Sequence, residues 1–211
     1  MTRIDSISPK PDRAGKYRIK LSDGTNLALY RQTVEDFRLF PGMELREEQL
    51  TEIRQSAGAY SAKMRAVRIV SASAVSREDL EQRLVRKGEA PEQAKAAVEW
   101  MEELHLVDDA ATARQVVEGC VRKGYGLSRA KQALYEKRIP KEFWEDALAD
   151  YPDQTEHIVK FLRSKVTDPA DPKQVRRAVD GLLRRGHNYG AIRHGLELLG
   201  TDADECMEEY E

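Results

Sequence analysis

Apolar residues recur along most of this chain at spacings of three and four, in blocks separated by Gly, Pro, Ser and Asp. That period lines successive apolar side chains along one helix face. It predicts nine helices, over 59–73, 77–87, 91–104, 109–123, 128–137, 141–150, 154–165, 172–185 and 189–199. Ser76 and Asp108 stand where N-caps are wanted, and Gly88 and Gly186 where a helix closes on a left-handed residue. The front of the chain follows a different rule. "KYRIKLSDGTNLALY" alternates around Tyr17, Ile19 and Leu21, turns at Asp23-Gly24 and resumes with Leu27 and Leu29, a hairpin to which "RIDSIS" adds a third short strand. Two short helices follow, one capped by Thr33 and stopped at Pro41-Gly42, the other ending near Gly58.

Three stretches repeat one another: "LVRKGEAPEQAKAAV", "LYEKRIPKEFWEDAL" and "LLRRGHNYGAIRHGL". Aligned, they give apolar columns Leu84/Leu134/Leu182, Ala94/Trp144/Ile192 and Val98/Leu148/Leu196, the last two columns four residues apart on one helix face. The expected fold class is mainly α: three tandem three-helix repeats, nine helices in all, behind a small N-terminal module containing a β-hairpin. The expected boundaries are 1–57 for the α+β module, 58–107, 108–152 and 153–200 for the repeats, and 201–211 for an acidic tail.

Composition narrows the function classes. The 211 residues carry 35 Lys+Arg against 37 Asp+Glu and two cysteines, Cys120 and Cys206, with no metal-ligand spacing between them. A reducing compartment and no disulfide framework are expected. No apolar leader opens the chain and no window approaches a membrane span, so a cytoplasmic protein with no membrane contact is expected. Charge is unevenly placed: six cations lie between Lys173 and Arg193 against Asp180 alone, and seven acids with no base lie between Glu197 and Glu211.

The dibasic ends Arg86-Lys87, Lys137-Arg138 and Arg184-Arg185 have two readings. They cap helix ends, where cations are favoured by ~0.3 to 1 kcal/mol each, or they form a stripe facing a polyanion or partner. With Arg122, Lys123, Arg129 and Lys131 in the middle repeat and Arg176, Arg177 and Arg193 in the last, they are the candidate partner- or nucleic-acid-binding residues. No catalytic set, metal site or cofactor is expected. Asp108-Asp109 reads as a cap followed by a first-turn acid. Gly124-Tyr125-Gly126 follows a helix and lacks the rest of a phosphate loop, and His187 and His194 have no third ligand nearby.

"SREDLEQRLVRKG", "ELHLVDDAATA", "KGYGLSRAKQALYEKRI" and "DPKQVRRAVDGLLRRGHNYGAIRHGLELL" occur in that order, and in these motifs the chain resembles the RecX family of recombination regulators over residues 76–200. The resemblance implies a non-enzymatic, monomeric array of three-helix repeats that binds RecA filaments on DNA. Binding would lower ATP turnover, strand exchange and RecA-promoted repressor cleavage, in DNA repair and the SOS response. Arg138 stands where the family has Gly, Glu89 and His187 where it has an aromatic residue, and His105 where it has Gly. Two other readings stay open on the residues alone. One is a helix-turn-helix-like protein that grips single- or double-stranded DNA by its backbone without sequence preference; the other is a helical scaffold for another partner.

Overall fold

The structure, a computed structural model, describes residues 1–200, and the chain divides between Val107 and Asp108 into two compact units. The acidic tail expected over 201–211 lies outside the described residues. In the first unit β1 (Thr2–Ile7), β2 (Lys16–Leu21), β3 (Asn26–Tyr30) and β4 (Glu44–Leu45) form an antiparallel sheet in the order β3-β2-β1-β4. The hairpin register pairs Tyr17 with Leu29 and Ile19 with Leu27, and Gly24 takes φ +86° at the turn. Helix α1 (Arg31–Asp36) starts three residues earlier than expected. The chain passes from β3 straight into it at Tyr30, so Thr33 is buried inside the helix and does not cap it.

A larger correction concerns α2 (Glu47–Ala72), one helix of 26 residues where two helices broken at Gly58 were expected. A methyl group at Gly58 would overlap the amide of Gln93 on α4 (Pro91–Glu103). The glycine leaves room for that side chain between α2 and α4, and its helix-ending signal is overridden by tertiary packing. Leu50 and Ile53 on α2 join Ile4, Ile19, Leu21 and Leu29 under the sheet. Farther along, Ala62 and Ala66 join Leu80 and Leu84 of α3 (Arg77–Arg86) and Val98 and Met101 of α4. One helix thus belongs to both cores, which ties the small sheet module to the first three-helix group. Glu89 is buried on this surface but paired: Arg65 Nε lies 2.6 Å and Ser61 Oγ 3.1 Å from its carboxylate. An ion pair replaces the aromatic contact that the resemblance implied there.

The second unit holds α5 (Asp109–Arg122), α6 (Leu127–Glu136), a 3-10 turn over Lys141–Phe143 and α7 (Trp144–Leu148), then α8 (Thr155–Lys165), α9 (Pro172–Arg184) and α10 (Tyr189–Glu197). Among the described residues α2 to α10 make three groups of three, preceded by the sheet and α1. No helix among them is long and apolar enough to cross a membrane.

The first apolar column holds throughout, with Leu84, Leu134 and Leu182 fully buried. The other two hold less well in the middle group. There the expected helix 141–150 is a 3-10 turn and a five-residue helix, which leaves Trp144 and Leu148 only partly buried beside Ala113, Val117 and Ile139. The Trp144 indole N–H donates to the Ile139 carbonyl at 2.9 Å. Replacing Trp144 with Phe keeps most of the ring contact and removes that bond, so a loss of about 0.5 to 1.5 kcal/mol is expected. Lys141→Ala, on the exposed turn, should cost less than about 0.5 kcal/mol. Indistinguishable urea midpoints for the two variants would contradict this assignment.

Candidate functional site

The amphipathic helix α9 carries the site. Asp171 caps its first turn by accepting from the Lys173 N–H at 2.9 Å, and Pro172 fits the first helical position. Val175, Ala178, Val179 and Leu182 form its buried face, while Arg176, Arg177 and Arg184 are exposed. At Gly181 an added Cβ would sit 3.0 Å from the Phe161 ring, so that ring of α8 packs closely on α9. The Arg185 guanidinium covers the ring at 4.4 Å from its centroid, a cation–π contact.

Beside this stack opens a cleft of about 610 Å³. Arg177, Arg184 and Arg185 line one side, Lys165 at the end of α8 another, and Arg129 and Tyr125 come from the second three-helix group. Its lining holds five cations and no carboxylate. Arg129 is held by Glu136 two helical turns on, at 2.8 Å, and the exchange keeps the guanidinium pKa above its ordinary value and the Glu136 carboxyl below its own. Arg177, Arg184 and Lys165 make no ion pair among the described residues. Like charges gathered without acids raise the local potential, and a bound polyanion relieves it.

The cleft depends on how the second and third groups meet. The Gly126 N–H donates to the Arg185 carbonyl at 2.9 Å and the Ser128 N–H to the Gly186 carbonyl at 3.3 Å, supplying donors to carbonyls left over at the end of α9. His187 Nε2–H donates to the Gly124 carbonyl at 3.0 Å, while within the second group the Tyr151 hydroxyl donates to the Tyr125 carbonyl at 2.7 Å. The histidine that departs from the family's aromatic residue thus fastens two groups together.

Burial pushes the His187 ring below the ordinary imidazole range; the Gly124 bond opposes this, and Arg185 and His157 add to the lowering. The folded state therefore prefers the neutral ring, whereas the unfolded ring takes a proton near its ordinary value of ~6.5. The resulting stability is complete above about pH 6.5 and is lost as pH falls towards the lower folded-state value. His187→Gln can keep a donor for Gly124 without titrating, so its melting temperature should fall less between about pH 7.5 and 5 than that of the wild type. Equal falls would remove His187 as the cause.

Of the residues singled out from sequence, the cleft gathers Arg129, Arg177, Arg184 and Arg185. Arg176, Lys123 and Lys131 are exposed outside it, and Arg193 faces Glu197 at 3.4 Å. Arg122 lines a separate hollow of about 500 Å³ in which Glu118, Asp146 and Asp150 also stand, so that hollow has no single sign. Arg86 and Lys87 lie at the end of α3 in the first unit, with Arg86 Nε 3.4 Å from the Gln82 carbonyl.

The three dibasic ends are not in one register. Helices α3, α6 and α9 close with the same backbone bond, from Glu89 to Leu84, Ile139 to Leu134 and His187 to Leu182, and with Gly88, Arg138 and Gly186 at φ +91°, +54° and +81°. Lys137 therefore matches Lys87 and Arg185, and Glu136 takes the place of Arg86 and Arg184. Arg138 occupies the glycine position, in a conformation that costs an ordinary residue ~1 to 2 kcal/mol. Tyr125, Phe161, Lys165 and Gln174 also line the cleft and were not expected from sequence. Phe161 and Lys165 are four apart, a spacing that places both on one helix face and could have flagged them.

Comparison with known proteins agrees with this architecture. The family model described as "RecX, second three-helix domain" matches residues 108–148, which span α5 to α7. The regulatory protein RecX of Chlorobaculum tepidum is 31% identical over 142 residues, covering 66% of this chain and 88% of the relative. That of Clostridioides difficile is 25% identical over 206 residues, covering 94% of this chain and 95% of the relative. Among solved structures, RecX from Lactobacillus salivarius superposes with a TM-score of 0.60 at 20% identity, covering 69% of this chain and 98% of that one. A second regulatory protein RecX gives 0.59 at 23%, covering 90% and 97%. The structural likeness supports the fold, and the Chlorobaculum relative carries the assignment: the chain belongs to the RecX family of regulatory proteins.

Proposed function

We propose that this chain docks on RecA filaments assembled on DNA and restrains them, lowering ATP turnover, strand exchange and RecA-promoted repressor cleavage. It works by binding, as a cytoplasmic monomer, and the cleft of the second unit supplies the electrostatic contact to the filament. The observation that carries the reading is the lining of that cleft, in which five cations and two aromatic rings meet no carboxylate. Phosphate oxygens suit such a lining because Arg and Lys neutralise them and release their counterions. A protein that read duplex sequence directly would need base-edge donors at the start of a recognition helix. The turn that precedes α7 instead presents Pro140, Lys141, Glu142 and Phe143.

ATP hydrolysis by RecA on single-stranded DNA tests the proposal. Added in stoichiometric amounts, the chain should depress the steady-state rate, and a rate unchanged up to a large excess would refute it.

A further inference from the structure

We infer that the basic cleft of the second unit binds a soluble oligophosphate, a triphosphate chain that is either inorganic or carried on a nucleoside. Shape is the first reason. A cleft of about 610 Å³ lies in the size range of small-molecule sites. A compact chain of phosphoryl groups enters it whole, whereas a duplex or a filament meets mainly its rim.

The spacing of the cations is the second reason. Arg177 and Arg184 stand seven residues apart on α9, two turns or about 10.5 Å along the axis, and so share one face of the helix. Gly181, between them on that face, gives its space to the Phe161 ring. Lys165 arrives from the last turn of α8 and Arg129 from α6, so cations from three helices converge on one cleft whose lining holds no carboxylate. Guanidinium groups take phosphoryl oxygens two at a time, and a pair set two turns apart can grip both ends of one phosphate chain.

Order is the third. Arg129 is anchored by Glu136 at 2.8 Å and Arg185 by the Phe161 ring at 4.4 Å, so these two cations lose little freedom when a ligand arrives. Arg177, Arg184 and Lys165 make no ion pair among the described residues and are the charges the ligand neutralises. The consequence, if the same cations also meet the filament, is that docking weakens as soluble oligophosphate accumulates.

The inference rests on the reading of the cleft as a phosphate site, but its test uses neither RecA nor DNA. Isothermal titration of the full chain, at low salt and without magnesium, compares inorganic phosphate, tripolyphosphate and ATP. Tripolyphosphate should bind about ten-fold or more tightly than inorganic phosphate because it engages several cations at once, and Arg177→Gln with Arg184→Gln should weaken it by about ten-fold or more. Arg122→Gln, in the mixed-charge hollow, should leave it unchanged. Should the double variant fail to fold, Arg177→Gln alone should still weaken binding, and amide shifts of the wild type with tripolyphosphate should centre on Arg177, Gly181 and Arg184. Equal affinities for tripolyphosphate and ATP assign recognition to the phosphate chain itself; tighter ATP assigns it to a nucleotide. No binding of either, inorganic phosphate binding as tightly, or an equal loss in the Arg122 variant overturns the inference. If tripolyphosphate does not bind while Arg177→Glu still weakens docking on RecA filaments, the oligophosphate site falls and the filament reading stands. If it binds as stated and the chain leaves RecA unaffected, the filament reading falls and the site stands.

Discussion

Reversing Arg184 and Arg185 to Glu should weaken binding to RecA-coated single-stranded DNA by about ten-fold or more at moderate salt, because each lost phosphate contact is worth roughly 1 kcal/mol and each introduced carboxylate repels. Both side chains line the cleft, and Arg185 also covers the Phe161 ring. The reversal therefore has a structural cost of its own, and Arg177→Glu, on an exposed position of α9, provides the cleaner companion. The wild-type affinity should fall steeply with salt and the variants' less so, since fewer counterions are released. If these cations serve only the helix end, the double variant loses at most ~1 to 2 kcal/mol of stability and binds the filament unchanged once folded.

The largest effect on stability is expected at Gly126→Val. Gly126 has an ordinary negative φ, so conformation does not require glycine there. Space does: a Cβ would overlap the backbone of Gly186 and His187. Backbone on both sides leaves no flexible side chain to give way, so a loss of more than ~3 kcal/mol is expected, beyond the usual range for overpacking. Gly126→Ala should lose somewhat less. Gly190→Ala, whose nearest neighbour would be Asn188 Oδ1 at an ordinary 3.6 Å, should change stability little. Because Gly126 and Gly186 hold Arg129 against the end of α9, a folded fraction of Gly126→Ala should also bind the filament more weakly. Equal urea midpoints for the Gly126 and Gly190 variants would show that the two groups do not meet as described.

The helices were legible from sequence because several local signals coincide. Ser76 and Asp108 do cap their helices, accepting from the Asp79 and Ala111 N–H groups, and Gly88 and Gly186 close theirs with positive φ. Leu84, Leu134 and Leu182 mark the same place in each group because their carbonyls accept the closing bond as well as their side chains filling the core. Gly58 was misread because a glycine that admits a neighbour looks, in sequence, like one that ends a helix. The middle dibasic pair was misplaced by one residue because Lys137-Arg138 imitates Arg184-Arg185 in composition but not in register. The cleft itself was only half legible. Its cations stood out as a charge block, but residues 125–129 approach 161–185 through glycine contacts and backbone bonds that carry no periodic signal.

Photo-crosslinking from inside the cleft shows directly whether this surface faces the filament. With p-benzoylphenylalanine in place of Arg177, and in a control in place of Arg122 in the mixed-charge hollow, each protein is irradiated on RecA filaments carrying labelled single-stranded DNA. Covalent adducts with RecA or with the DNA are expected from position 177, reduced as salt rises, and few from position 122. Adducts from 122 but none from 177, in a chain that still lowers RecA ATP hydrolysis, would contradict the assignment of this cleft as the filament-facing surface.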